Sequence, residues 1–167
     1  MRSVLLSLLT ASLLFGLSAC TGDSDSSTAS STAEKPTIPF DKEGRLAFIQ
    51  DGDSVVVLDL EIAESDSAKE RGMMERDGFP NDRSGMLFPF DEERERSFWM
   101  ANTPVALDIF FVNADSQIVH IAKYAEPVSA DQIPSNGPAQ YVLETPAGFA
   151  DSYGILEGDR VRWTRTE

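Results

Sequence analysis

Residues 45–61 read Arg-Leu-Ala-Phe-Ile-Gln-Asp-Gly-Asp-Ser-Val-Val-Val-Leu-Asp-Leu-Glu, and this stretch decides the fold class. Two strand-like runs, 45–50 and 54–61, flank Asp51-Gly52, a dipeptide that favours the positive φ angles of a two-residue hairpin. Alternate side chains of a strand point to opposite faces. Val56, Leu58 and Leu60 therefore form one face, the cleaner core side, and Val55, Val57 and Asp59 the other.

Outward from this hairpin the same period continues. Residues 107–112 and 117–124 flank Asn113-Ala114-Asp115-Ser116, a second hairpin. Short strands are expected at 85–90, 140–144 and 160–164, with an extended, bulky stretch at 97–101. A short helix is expected over 65–71, opened by Ser67-Ala68-Lys69-Glu70 as a capping box and stopped by Gly72. A second covers 147–153 and stops at Gly154. The charged residues 91–96 read as a solvated turn, and 127–138, with three prolines, as a long loop. Strand and helix do not alternate regularly, which argues against a doubly wound fold. The expectation is a mainly β (α+β) domain: a mostly antiparallel, barrel-like sheet that closes or folds over on itself, with two short helices at its edge.

The chain has 167 residues, 41% hydrophobic and 25% charged, with 1 Cys, 1 His and a formal charge of -14. One Cys and one His exclude an internal disulfide framework and a zinc site built from several such ligands. So acidic a chain is a poor ligand for nucleic acid, whose phosphates are bound by Lys and Arg.

The N-terminus reads as an address. Arg2 precedes an apolar run over residues 4–17 that is too short to span a bilayer comfortably. It ends in Leu17-Ser18-Ala19-Cys20, which resembles a bacterial lipobox and implies cleavage before Cys20 with lipid on its thiol. Residues 1–19 are then a signal peptide and 20–39 a lipidated tether. Within the tether, 9 of the 17 residues at 21–37 are Ser or Thr and none is large and apolar. Such a segment cannot bury enough surface to offset its ordering entropy, and as a coil it would span roughly 20–25 Å. One folded domain is expected over 40–167, held at the bacterial cell envelope, on the outer membrane or its periplasmic face in a Gram-negative cell.

Several residues stand out chemically. Asp108 interrupts the apolar run 107–112, and a buried carboxylate is costly unless paired or hydrogen-bonded. Arg71 is one candidate partner, the turn at Asn102-Thr103 another. Glu144, between Leu143 and Thr145-Pro146, poses the same question. Trp99, beside Asn102 and Thr103, is placed to wall a pocket, while Phe98 and Met100 point the other way, toward a core. Met73, Met74, Met86 and Met100 are soft thioethers that suit either Cu(I) or irregular gaps in a core. His120 reads as a strand residue facing solvent or a neighbour. There is no G-x-S-x-G, Gly-rich phosphate loop or H-E-x-x-H, so catalytic residues, metal sites and cofactors are not expected.

In order along the chain come Glu70-Arg71-Gly72-Met73-Met74, Gly85-Met86-Leu87-Phe88 and the block Ser97-Phe98-Trp99-Met100-Ala101-Asn102-Thr103. Then follow Leu107-Asp108-Ile109-Phe110-Phe111, Pro134-Ser135, Tyr141-Val142-Leu143-Glu144 with Ala147-Gly148, and Gly158-Asp159. Together, over about residues 55–161, these motifs resemble the DUF192 (UPF0127) family. Met73 stands where that family usually has Leu, and Ile133 where an aromatic often precedes Pro-Ser. The resemblance implies a small, β-rich exported domain, often behind a signal peptide or lipobox, and supplies no catalytic residues to carry over.

The leading expectation is thus a membrane-tethered, non-enzymatic domain that binds a glycan or peptide. Its pocket would be formed by Arg71, Trp99, Asn102, Thr103 and Asp108, with Arg71 paired to Asp108 or to an anionic ligand. The alternatives are a hydrolase of envelope polymers acting through Asp108 and Glu144, and a Cu(I)-handling protein using Met74, Met86 and Met100. The hydrolase needs both carboxylates in one cleft, about 5–9.5 Å apart.

Overall fold

A computed structural model describes residues 38–166. The expected signal peptide, Cys20 and all but the end of the tether lie outside the described residues. Among the described residues the chain forms nine strands and two helices: β1 (Gly44–Gln50), β2 (Asp53–Ile62), α1 (Asp66–Arg71), β3 (Ser84–Arg94), β4 (Ser97–Phe98), β5 (Leu107–Val112), β6 (Ile118–Ala125), β7 (Ile133–Pro134), β8 (Ala139–Pro146), α2 (Phe149–Tyr153) and β9 (Arg160–Arg165).

The Asp51-Gly52 hairpin forms as expected. Both residues have positive φ, 52° and 93°, the geometry that matches the twist of paired strands. β1 and β2 pair antiparallel with Leu46 opposite Leu58 and Phe48 opposite Val56. The hairpin extends into a seven-stranded sheet of order β6-β5-β8-β3-β2-β1-β9. Its pairings are antiparallel except β2 with β3, which α1 connects as a crossover. β4 and β7 make a separate two-stranded sheet.

The sheet rolls over on itself without closing. Phe48 of β1 and Phe110 of β5 have three strands between them in the order, yet their ring centroids are 5.2 Å apart. Phe149 of α2 packs on both rings. These aromatics, with Leu46, Leu58, Leu60, Leu87 and Leu143, fill the inner face. The edge strands meet at one end only, through the bridge Gln117↔Arg160 and the bonds Ile118 N–H to Asp159 C=O and Val161 N–H to Ser116 C=O, each 2.8 Å. The expected barrel-like closure is therefore reduced to a pinched corner, and no ladder joins β6 to β9. Met86, Phe88, Ile109, Phe111 and Val142 form a second core on the outer face, with Met73 and Met100 packed among them.

Two local expectations change. α1 begins at Asp66, and its cap is Ser65, whose Oγ accepts from the Ala68 N–H at 3.1 Å; no capping box at Ser67–Glu70 forms. Residues 91–94, expected in a turn, continue β3, because Arg94 pairs with Ala139 of β8 across an irregularity after Pro89.

Asp108 is fully buried on the inner face. The β5–β6 pairing shifts register between Leu107 and Ile109, and Tyr124 opposite takes a positive φ of 53°. That bulge frees the Tyr124 N–H, which donates to Asp108 Oδ1 at 2.9 Å. Asp108 Oδ2 accepts from the Ala150 N–H at 2.9 Å, in the first turn of α2. The carboxylate thus ties a strand bulge to a helix start and makes no pair with Arg71, contrary to expectation. Removing it strands the buried Ala150 N–H and the partly buried Tyr124 N–H. We therefore expect Asp108→Ala to lower stability by roughly 2–4 kcal/mol, seen as a lower urea midpoint with an unchanged slope.

Candidate functional site

Side chains of β5 and β8 alternate, so Asp108 and Glu144 leave the sheet on opposite faces. Ile109 pairs with Glu144 and Phe110 with Leu143; Ile109 belongs to the outer core, Phe110 and Leu143 to the inner one. Glu144 consequently rises on the outer face, beneath a cleft of about 270 Å³.

The cleft is assembled from three segments. Phe88 and Phe90 come from β3, and Phe98 from β4 stands edge-on to Phe88 at 5.2 Å. The end of α1 and the residues after it contribute Lys69, Arg71, Gly72, Met73 and Met74. The turn after β4 contributes Trp99 and Thr103. Backbone bonds hold this turn in place: Met100 N–H to Ser129 C=O, Thr103 N–H to Met100 C=O, and Glu75 N–H to Asn102 C=O. Asn102 itself has a φ of 57°.

Of the five expected pocket residues, Arg71, Trp99 and Thr103 line this cleft. Asn102 lines an adjoining hollow that also contains Arg71. Asp108 lies on the far side of the sheet and takes no part. Trp99 is 50% exposed, so its ring is a wall rather than core. Among the described residues, the side chains of Trp99 and Arg71 make no hydrogen bond or ion pair. The Lys69 ammonium lies 5.1 Å from the Phe90 ring centre, and the Arg96 guanidinium lies 3.5 Å from it.

Glu144 is the unusual group. Its side chain is 5% exposed, and Oε2 has no hydrogen-bond partner. Burial pushes its pKa up from the ordinary 4.5 to about 8, against the opposing pull of Arg76. Arg76 makes no hydrogen bond to it: its two terminal nitrogens bond Glu61 at 2.7 and 2.5 Å and the Pro39 carbonyl, and its buried Nε has no hydrogen-bond partner. Gly72 lies directly against the buried carboxyl. A Cβ there would sit 3.7 Å from Glu144 Oε2 and 3.2 Å from Phe88 Cζ, and the φ of 48° and ψ of -130° suit only glycine. The site therefore holds a neutral acid at neutral pH, buried in the lining of an aromatic-walled cleft with a free guanidinium at its rim.

Sequence reasoning missed the phenylalanine walls and Gly72 as site residues, and gave Glu144 a place only in the hydrolase alternative. The signal for Glu144 was a lone carboxyl between apolar neighbours on a strand. Met86 and Met100 are buried in the outer core and do not reach the cleft, whereas Met73 and Met74 line it. His120 bonds Glu157 at 2.8 Å and stacks on Phe111, away from this site.

Glu144 makes stability depend on pH. Below about 4.5 its carboxyl is protonated both folded and unfolded. Between 4.5 and 8 the unfolded chain releases the proton while the fold retains it, so stability falls by about 1.4 kcal/mol per pH unit; above 8 the loss levels off. Glu144→Gln removes this dependence. In paired urea titrations the variant should gain on the parent as pH rises from 4.5 to 8.

The family model DUF192, "Uncharacterized ACR", matches residues 47–163. A Sinorhizobium meliloti 1021 protein described as a candidate transcription regulator is 36% identical, with a TM-score of 0.69 over 77% of this chain and 98% of its own. A protein of unknown function from Novosphingobium aromaticivorans DSM 12444 is 33% identical, with a TM-score of 0.67 over 71% of this chain and 84% of its own. No curated protein matches. The motifs in chain order, the fold they build and the matched length agree: the chain belongs to the DUF192 family.

Proposed function

We propose that this protein is a membrane-tethered, non-enzymatic binding domain of the bacterial envelope that receives a glycan or peptide in its outer-face cleft. One observation carries the reading: the Glu144 carboxyl is buried without a partner for Oε2 beneath an aromatic cleft whose rim holds a free guanidinium, Arg71. A buried polar atom left unsatisfied costs stability, which a bound ligand that supplies the missing hydrogen bond recovers. Trp99 adds a large, half-exposed ring for stacking.

The hydrolase alternative loses its geometry, because Asp108 and Glu144 occupy opposite faces of the sheet and share no cleft. The thioether alternative is not favoured, since Met86 and Met100 are packed away from Met74. Regulation through DNA, suggested by the description of the Sinorhizobium relative, is opposed by the charge of -14. The tether places the domain near lipid. It rests on Cys20 closing a lipobox-like run and on the Ser/Thr-rich residues that follow.

Two measurements test these parts separately. In a bacterial host, the parent should incorporate labelled fatty acid and sediment with membranes; Cys20→Ser should do neither. A parent free of acyl group would end the tether proposal. For the cleft, tryptophan emission is followed in Trp163→Phe, where Trp99 is the sole reporter, against panels of envelope glycans and short peptides. A binder should shift the emission. Trp99→Ala, which lacks the reporter and is titrated by calorimetry against the same binder, should bind at least tenfold more weakly than the parent, with the thermal midpoint unchanged because the ring is half-exposed. Emission unmoved by every probe, or affinity unaffected by Trp99→Ala, would count against the cleft.

A further inference from the structure

Resting on the binding reading above, we infer that the group this cleft recognises is a carboxylate joined to an apolar residue, as at the C-terminal end of a peptide, taken between the Arg71 guanidinium and the Glu144 carboxyl. Four observations converge on this chemistry.

The first is the local charge. The chain as a whole carries -14, yet the titratable groups lining the cleft are Lys69, Glu70, Arg71 and Glu144. With Glu144 neutral, two cations face one anion. Arg76, which also faces Glu144, is neutralised by Glu61. The cleft is thus a locally positive spot on a strongly acidic domain, and it selects an anionic group. A ligand ammonium would meet two cations of its own sign.

The second is the state of the two polar groups. Arg71 presents a planar fork of donors with no partner among the described residues. Glu144, held protonated, has one O–H to donate. A carboxylate accepts from both at once. No covalent bond changes and no proton leaves the site: Glu144 keeps its proton and shares it with the ligand oxygen.

The third is the wall. Phe88, Phe90, Phe98, Trp99, Met73 and Met74 offer rings and thioethers. Ser97, the exposed hydroxyl of the site, is engaged to Gln132 at 2.7 Å. A sugar ring needs several polar partners for its hydroxyls, and the cleft supplies few. An apolar last side chain beside a terminal carboxylate matches both wall and floor, so a peptide end is favoured over a glycan.

The fourth is access. Glu144, though buried, is one of the residues that line the cleft, and Gly72 beside its Oε2 carries no side chain to come between acid and ligand. The φ of 48° and ψ of -130° at Gly72 are a conformation that only glycine adopts easily.

The test uses the full chain in detergent with Trp163→Phe as the reporter background. The probes are acetylated tripeptides ending in Ala, Val, Leu or Phe, each as free acid and as C-terminal amide, with neutral disaccharides as a separate arm. The expected result is binding of at least one free acid, with its amide weaker by tenfold or more. Affinity should hold from pH 6 to 7.5 and then fall toward tenfold per unit above about 8, as Glu144 ionises. Glu144→Gln, which donates an N–H at every pH and is expected to fold, should bind within a few-fold of the parent at pH 7 and show no loss up to pH 9.5. Arg71→Met should reduce the preference for acid over amide. Equal binding of acid and amide, a parent affinity flat to pH 9.5, or binding of disaccharides alone would overturn the carboxylate assignment and leave a binding cleft standing. Emission unmoved by all peptides and sugars would overturn both.

Discussion

The Asp108 carboxylate accepts two backbone N–H groups inside the rolled sheet, one from the β6 bulge and one from the first turn of α2. Elements far apart in sequence are pinned by this one side chain. Without it, the partly buried N–H freed at Tyr124 would lose its partner, and α2, which has no side-chain cap hydrogen bond, would lose the acceptor at its start. Phe149, which closes the aromatic cluster with Phe48 and Phe110, is carried by the same helix. The inner core and the buried anion are therefore one unit: the rings exclude water, and the exclusion makes the two hydrogen bonds to the carboxylate strong.

Glu144 belongs to the strand beside it and meets the opposite fate. It rises on the outer face, where the neighbouring backbone groups are already paired in the sheet and the Arg76 guanidinium is bonded to Glu61. Burial without a partner keeps it neutral. Such a group lowers the stability of the domain at neutral pH, and unsatisfied polar atoms of this kind concentrate where a fold is shaped for something other than its own stability. The surrounding construction is consistent with that reading. A short helix ends at a glycine in a strained conformation, a backbone-pinned turn holds a half-exposed tryptophan, and three phenylalanines stand around the acid. The pairing of a rigid, satisfied inner face with an outer face left partly unsatisfied is a division of labour within one sheet.

Much of this was legible from the chain alone. The Asp51-Gly52 hairpin, the core side Val56, Leu58 and Leu60, the strand at 107–112 and the burial of Met100 follow from local turn chemistry and from the two-residue period. The motifs of the DUF192 family were readable because they recur in order over the whole domain. The pocket was located to the right neighbourhood through Arg71, Trp99 and Thr103. Less was legible where a distant partner decides. Residues 91–94 are charged enough to read as a loop but pair with β8, and Ile133–Pro134 forms a strand within a proline-rich stretch because Ser97–Phe98 lies alongside. The start of α1 was misplaced by one residue's choice of cap, Ser65 in place of Ser67.

The two carboxyl groups mark the boundary most clearly. The chain by itself determined that Asp108 and Glu144 sit in apolar strands and that each would be costly to bury, because composition and alternation are local properties. It could not determine which one finds donors. That depends on the register between β5 and β8, on a bulge in β6 and on where α2 begins, and these are set by packing among segments tens of residues apart. Tertiary structure alone therefore made Asp108 a satisfied anion of the inner core and Glu144 an unpartnered acid beneath the cleft.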